Sequence, residues 1–325
     1  MFFGAAAGLH ASALYWSSAW AAPASLGLDS VFALSDSGVA AGTAGGQAAE
    51  SSVYSAGAIL LGLPAAYSYA AAVNDNGQIA GTYTDSLGYQ YAFFWSSATG
   101  VVPIGTLGGP MSIAMDINAA GQVVGQSFDA SDALSAFLWT PAGGISKIGD
   151  GASQNAVAIN NAGLVAYTQD PYPYRTQFGA VGSQSDLSIL NFGGAGSVIS
   201  AINDQGWIVG RTSGGQGFLW TPEGSLDFGT AFLPTALNDA GEVIGSYQGL
   251  PAVWTRSGGF QLLDFAGYTG GVTLTAINDE GQIVGNTSPV PEPSGLALCA
   301  AGAFLLAAGW RGRRLLEAGY FKVPG

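Results

Sequence analysis

The sequence predicts an all-β repeat protein, and three observations predict it. One short string recurs along most of the chain, a second string recurs between its copies, and tight-turn chemistry separates the apolar runs with no helical period in them. Composition agrees. Glycine fills 51 of 325 positions and charged residues only 9%, against roughly 25% in an ordinary soluble domain. With 48% apolar residues the chain has ample material for a core.

The first string is an apolar pair, Asn, two polar or small residues, Gly and a short apolar run. It reads AVNDNGQIAG at Asn74, DINAAGQVVG at Asn118, AINNAGLVAY at Asn160, AINDQGWIVG at Asn203, ALNDAGEVIG at Asn238 and AINDEGQIVG at Asn278. A seventh copy, ALSDSGVAAG, has Ser35 in place of Asn, and the spacings are 39, 44, 42, 43, 35 and 40 residues. Asn-Asp-x-Gly between apolar runs is hairpin chemistry: the Asx side chain caps the turn and Gly takes its left-handed position. The second string is a small residue, apolar residues and an aromatic, as in SALYW at Trp16, AFFW at Trp95, SAFLW at Trp139, GFLW at Trp220 and PAVW at Trp254. Tyr54 and Phe178 are expected at the same phase in two poorer copies. Turn formers such as TPAGG follow, which marks a second hairpin.

Each unit therefore holds about four short strands in ~40 residues, the spacing of a propeller blade. The chain starts with the second half of a unit at Trp16 and ends with the first half of one at Asn278. The two halves are expected to complete one blade and close a seven-bladed β-propeller over residues 1–288, removing exposed sheet edges. A parallel solenoid, or a ring of six or eight blades, is compatible with the same repeat. These strings resemble the HAF-repeat family of bacterial extracellular proteins over residues 10 to 287, with Ser-Ala-Phe at Ser135 in place of the name-giving His-Ala-Phe. The resemblance implies export and carries no catalytic residues to transfer.

Residues 289–325 differ. Before residue 290 four basic face nineteen acidic residues, a net charge of −15, whereas the remainder carries +2. Val290, Pro291, Glu292 and Pro293 precede an apolar run from Ser294 to Trp310, and Arg311, Arg313 and Arg314 follow it. This order resembles the PEP-CTERM protein-sorting signal. The resemblance implies recognition by an exosortase, a membrane protease or transpeptidase, in the inner membrane of a Gram-negative bacterium. It further implies removal of the tail and delivery to the cell surface or extracellular polysaccharide matrix. Physically, about 16 helical residues span roughly 24 Å, short of a ~30 Å bilayer core, which suits a transient anchor. The arginines place the last residues in the cytoplasm. Residues 1 to 20 hold no Lys or Arg, so SALYW is read as repeat, with a signal peptide expected upstream of Met1. The alternative is that Ala19-Trp20-Ala21 is itself a signal cleavage site.

Chemistry is scarce. One histidine, His10, and one cysteine, Cys299, exclude Cys/His zinc sites and internal disulfides, and the net charge of −13 argues against nucleic acid. No cofactor and no enzymatic activity are expected. Asp36, Asp75, Asp204, Asp239 and Asp279 share one turn position and are expected around one rim, as plain turn residues or as a cation- or ligand-attracting ring. Asp129 and Asp132 are a weaker metal candidate. The repeated tryptophans are expected in the core between blades rather than as a sugar-stacking set. Two functions follow: a non-enzymatic structural or adhesive matrix protein, or a lectin-like propeller binding glycan or cation.

Overall fold

The computed structural model describes residues 12–19, 21–149, 154–169, 175–180, 187–189, 197–264 and 271–287. All of these belong to one compact unit, His10–Ser288. The sorting motif, the apolar run, the arginine cluster, His10 and Cys299 lie outside the described residues. Among the described residues regular structure is strand throughout, and no helix is long and apolar enough to cross a membrane.

The strands assemble into seven antiparallel sheets of four strands each. Six are continuous in sequence, over residues 30–60, 67–103, 108–147, 154–189, 198–229 and 232–262. The seventh combines the two ends of the unit. Ala13–Trp16 lies between Ala24–Ser25 and Ile283–Thr287, and Val272–Ile277 completes the sheet. Its register sets Ala13 opposite Asn286 and Trp16 opposite Ile283. Half-units from the two ends thus form one sheet, because each alone would leave two strands with an apolar face and open backbone groups.

Core sits between sheets rather than within one. Ala72, Phe94 and Ala92 of one sheet pack against Ile117, Phe137 and Trp139 of the next. Similar clusters join every sheet to its successor, and the sheet shared by the ends packs on both the sixth and the first. Trp16, Trp139 and Trp254 are buried in these clusters, while Trp95 and Trp220 pack against theirs half-buried. The expectation of core tryptophans holds.

Two phase assignments need correction. Trp95 and Trp139 stand opposite Ile79 and Val123, and the residue opposite the equivalent Val39 is Ser52, not Tyr54. Tyr54 lies beyond, in the turn, and is 70% exposed. Phe178 stands opposite Ala166, the register of Phe94 and Leu138 opposite Ala80 and Val124. It aligns one residue before the tryptophan position, which Gly179 occupies opposite Val165.

Each sheet's first strand carries a bulge shortly before the turn, as between Ala70 and Ala72 or Ala114 and Asp116. The bulge draws that strand tightly onto its neighbour and explains the glycine that ends the repeat string. A Cβ on Gly81 would overlap the carbonyl oxygen of Tyr69 and the ring of Phe93, and one on Gly125 would overlap that of Ile113.

Candidate functional site

The bulged first strands end at the Asn-x-x-Gly turns, and all seven turns meet around one cavity of about 240 Å³. Local chemistry builds each turn. In the Asn74 copy the Gly77 N–H donates to the Asn74 carbonyl (3.0 Å), the Asn74 N–H to the Gln78 carbonyl (3.0 Å), and Gly77 has φ +68°. The Asn74 Oδ1 accepts the N–H groups of Asn76 (3.1 Å) and Gln78 (3.0 Å). That is the expected Asx cap.

The asparagine does more. Its Nδ2 donates to the main-chain carbonyl of the Asn in the following unit: Asn74 to Asn118 (2.8 Å), Asn118 to Asn160 (3.2 Å), Asn160 to Asn203 (3.0 Å). Asn203 continues to Asn238 (3.1 Å), Asn238 to Asn278 (3.0 Å), and Asn278 to Ser35 (3.0 Å). These six asparagines are 2–6% exposed. One buried amide thus satisfies its own turn and fastens two sheets. Ser35 is too short for the second task; its hydroxyl bonds Ser37 Oγ (2.8 Å) and the Val39 N–H (3.1 Å).

The rim aspartates form a second belt. Asp36, Asp75, Asp204, Asp239 and Asp279 are brought together as the repeat phase predicts, all lining the cavity. Each accepts on Oδ1 the main-chain N–H of the preceding turn: Asp36 from Asp279 and Asp75 from Asp36 (both 2.7 Å), Asp239 from Asp204 (2.8 Å), Asp279 from Asp239 (2.7 Å). Asn161 substitutes for aspartate in its unit, accepting from Ala119 N–H (2.7 Å) while donating its own N–H to Asp204 Oδ1 (2.8 Å). Where the third unit has Ala119, Asn76 Nδ2 reaches the Ala119 carbonyl instead (2.9 Å).

Crowding these carboxylates has an electrostatic consequence. Partial burial, with Asp75, Asp279 and Asp239 nearby, pushes Asp36 up to about 6, against the opposing N–H bond from Asp279. Asp239 is also raised, by burial and by Asp279 and Asp204. Among the described residues no three His, Cys, Asp or Glu side chains cluster closely enough to hold a metal ion.

The structure adds a carboxylate that pattern reading missed. Asp116 lines the same cavity, deeper along its strand, where the six sister units all have Ala. Its Oδ1 accepts the Ile117 N–H and its Oδ2 the Ile159 N–H, both at 2.8 Å. Burial outweighs these bonds and pushes it up to about 6. The available signal was an acidic residue at a strand position that is otherwise Ala, in the unit whose turn has Ala119 at the Asp position.

Asp129 and Asp132 are joined by no third His, Cys, Asp or Glu side chain among the described residues, and Asp129 is engaged by its own turn. Asp129 Oδ1 is taken by the Ser131 hydroxyl (2.6 Å) and the N–H groups of Ser131 and Ala133, and Oδ2 faces Lys147 Nζ (3.2 Å). The Ser131 hydroxyl, these N–H groups and Lys147 hold its carboxyl well below the usual range. Asp132 occupies the turn with φ +58°.

No family model and no curated protein matches this chain. Solved structures do. Virginiamycin B lyase from Staphylococcus aureus is 11% identical, covers 80% of this chain and 95% of its own, and superposes with a TM-score of 0.55. A chain of a mitotic checkpoint complex is 12% identical over 80% of this chain and 90% of its own, with a TM-score of 0.53. TolB from Acinetobacter baumannii is 14% identical, over 64% of this chain and 55% of its own, with a TM-score of 0.45. At such identities the first two show the fold alone, a propeller-like assembly of four-stranded sheets.

Proposed function

We propose that this chain is the folded body of an exported, non-enzymatic surface or extracellular-matrix protein, built as a closed seven-bladed propeller. The cyclic order of inter-sheet clusters and the bond from Asn278 back to Ser35 support closure. One observation carries the structural role. The polar residues the repeat retains, Asn in six turns and Asp in five, are engaged in fastening one sheet to the next. A propeller whose repeated polar groups serve its own assembly is a scaffold, and its few charges suit a crowded matrix. Export rests on the sorting-signal resemblance of Val290 to Arg314, with exosortase as the partner and extracellular polysaccharide as the setting.

Deleting Pro291 to Pro293 tests the export reading. The variant should accumulate in the inner-membrane fraction while the intact chain reaches the surface; unchanged secretion refutes it.

A second reading, a lectin-like propeller binding glycan or cation, is favoured by the six carboxylates around the axial cavity. On this reading a glycan array probed with the full chain, with and without calcium, gives binding. No binding under either condition removes it.

A further inference from the structure

Residues that obey the repeat are accounted for by the fold, so residues that break it carry the chain's individuality. Three departures converge in adjacent sheets. Trp207 stands where four copies have Gln78, Gln122, Glu242 and Gln282 and two have the smaller Val39 and Leu164, Glu223 where the matching turn has Ala142, and Arg256 where sisters have Pro141, Ser97 or Ser18. Glu223 and Arg256 line a cavity of about 450 Å³, within the range of small-ligand sites, between the sheets of residues 198–229 and 232–262, and Trp207 reaches it only through its contact with Arg256. Ile208 pairs with Trp220 and Val243 with Trp254, so the turns bearing Glu223 and Arg256 open on the same face as the aspartate belt, outward from it.

The lining is chemically ordered. Trp254, Leu219 and Leu226 give an apolar wall, and Thr221, Glu223 and Arg256 a polar one. Thr221 is fixed, its hydroxyl donating to the Gly224 carbonyl (3.0 Å). The Arg256 guanidinium lies over the Trp207 ring, 5.5 Å from its centroid, an arrangement that orients a cation without neutralising it. Among the described residues the one salt bridge is Lys147–Asp129, so Arg256 and Glu223 border the same cavity without pairing.

We propose that this cavity binds a uronic-acid residue of an acidic glycan. Arg256 takes the sugar carboxylate through its forked N–H donors, Glu223 accepts sugar hydroxyls, and the exposed Leu226 packs on the apolar C–H face, with Trp254 and Leu219 as the buried floor beneath. Trp207 is a positioning residue that holds Arg256. The proposal deepens the glycan-binding reading and rests on it, but not on export or on the axial cavity.

The test is calorimetric titration of the full chain with a galacturonic acid trisaccharide and, separately, with an uncharged galactose trisaccharide. The acidic sugar should bind and the neutral one bind at least tenfold more weakly. Substitution by sister residues protects the fold: Arg256→Ser should weaken the acidic sugar about tenfold or more, the loss of a charge-assisted bond, and Trp207→Gln a few-fold. Arg256→Ser should unfold at the wild-type denaturant midpoint, within error, whereas Trp207→Gln, which removes a ring packed on the inter-sheet core, should lower it while leaving the folded chain able to bind. Equal binding of both sugars, or acidic-sugar binding unmoved by Arg256→Ser, overturns this site while leaving glycan binding intact. Failure of both sugars to bind overturns the site; a glycan array empty as well removes the glycan reading with it.

Discussion

The inter-sheet asparagine is the most consequential residue of the repeat, and Asn278→Ala tests it where the last copy meets the first. Asn278 is 2% exposed. Its Nδ2 donates to the Ser35 carbonyl (3.0 Å) and Gln282 Oε1 (2.9 Å), and its Oδ1 accepts the Gln282 N–H (2.9 Å). Alanine removes all three and leaves the Ser35 carbonyl without this donor. Net values of about 1 kcal/mol per bond, and ~1–3 kcal/mol for a buried group left unpaired, place the loss at ~3 kcal/mol. Urea unfolding of the full chain, followed by tryptophan fluorescence, measures it. The same reasoning reads in reverse at Ser35, the one copy that cannot reach across: Ser35→Asn should place an amide near the Asn74 carbonyl and stabilise by ~1 kcal/mol. A loss below ~0.5 kcal/mol for Asn278→Ala, the range of ordinary surface substitutions, would refute the argument.

Two further outcomes follow from the same geometry. Asp36 and Asp116 are raised to about 6 in the fold, so between the ordinary carboxylate pKa near 4 and about 6 the folded state keeps protons that the unfolded chain has released. Stability should therefore fall as pH rises from about 4 to 6, and Asp36→Asn, which keeps the acceptor for Asp279 N–H, should flatten that slope in denaturant midpoints measured across pH. A slope of the opposite sign contradicts the belt electrostatics. Gly81→Ala should destabilise by about 2 kcal/mol or more, because its Cβ meets the Tyr69 carbonyl and the Phe93 ring; wild-type thermal stability would show that the strand can move apart there.

How much was legible in the sequence varied with the range of the interaction. Hairpin turns, strand count per unit and the sharing of one sheet by the chain ends were readable, since turn chemistry and repeat phase are local properties of the string. The aspartate belt was legible as a set of positions but not as a bonding pattern. Its Oδ1 atoms accept from N–H groups 35 to 43 residues away, as Asp239 does from Asp204 and Asp204 from Asn161, or 243 away, as Asp36 does from Asp279. Tyr54 was misplaced because the spacing of aromatics along the string does not reveal pairing register, and the strand partner of Val39 is Ser52.

By itself, then, the low-charge, glycine-rich sequence determined that this chain would be short strands joined by Asx turns, repeated in phase. Period-two apolar runs and left-handed glycines leave few alternatives. Only the tertiary structure decided what the retained polar residues do, and which departures from the repeat matter. Asn74 and its sisters reach the next sheet because the bulged first strands converge. Asp116 accepts the Ile159 N–H of the next sheet, and Trp207 and Arg256 are neighbours only because two sheets pack side by side. Those relations depend on distances between units, which a string of residues does not carry and a packed arrangement of sheets imposes.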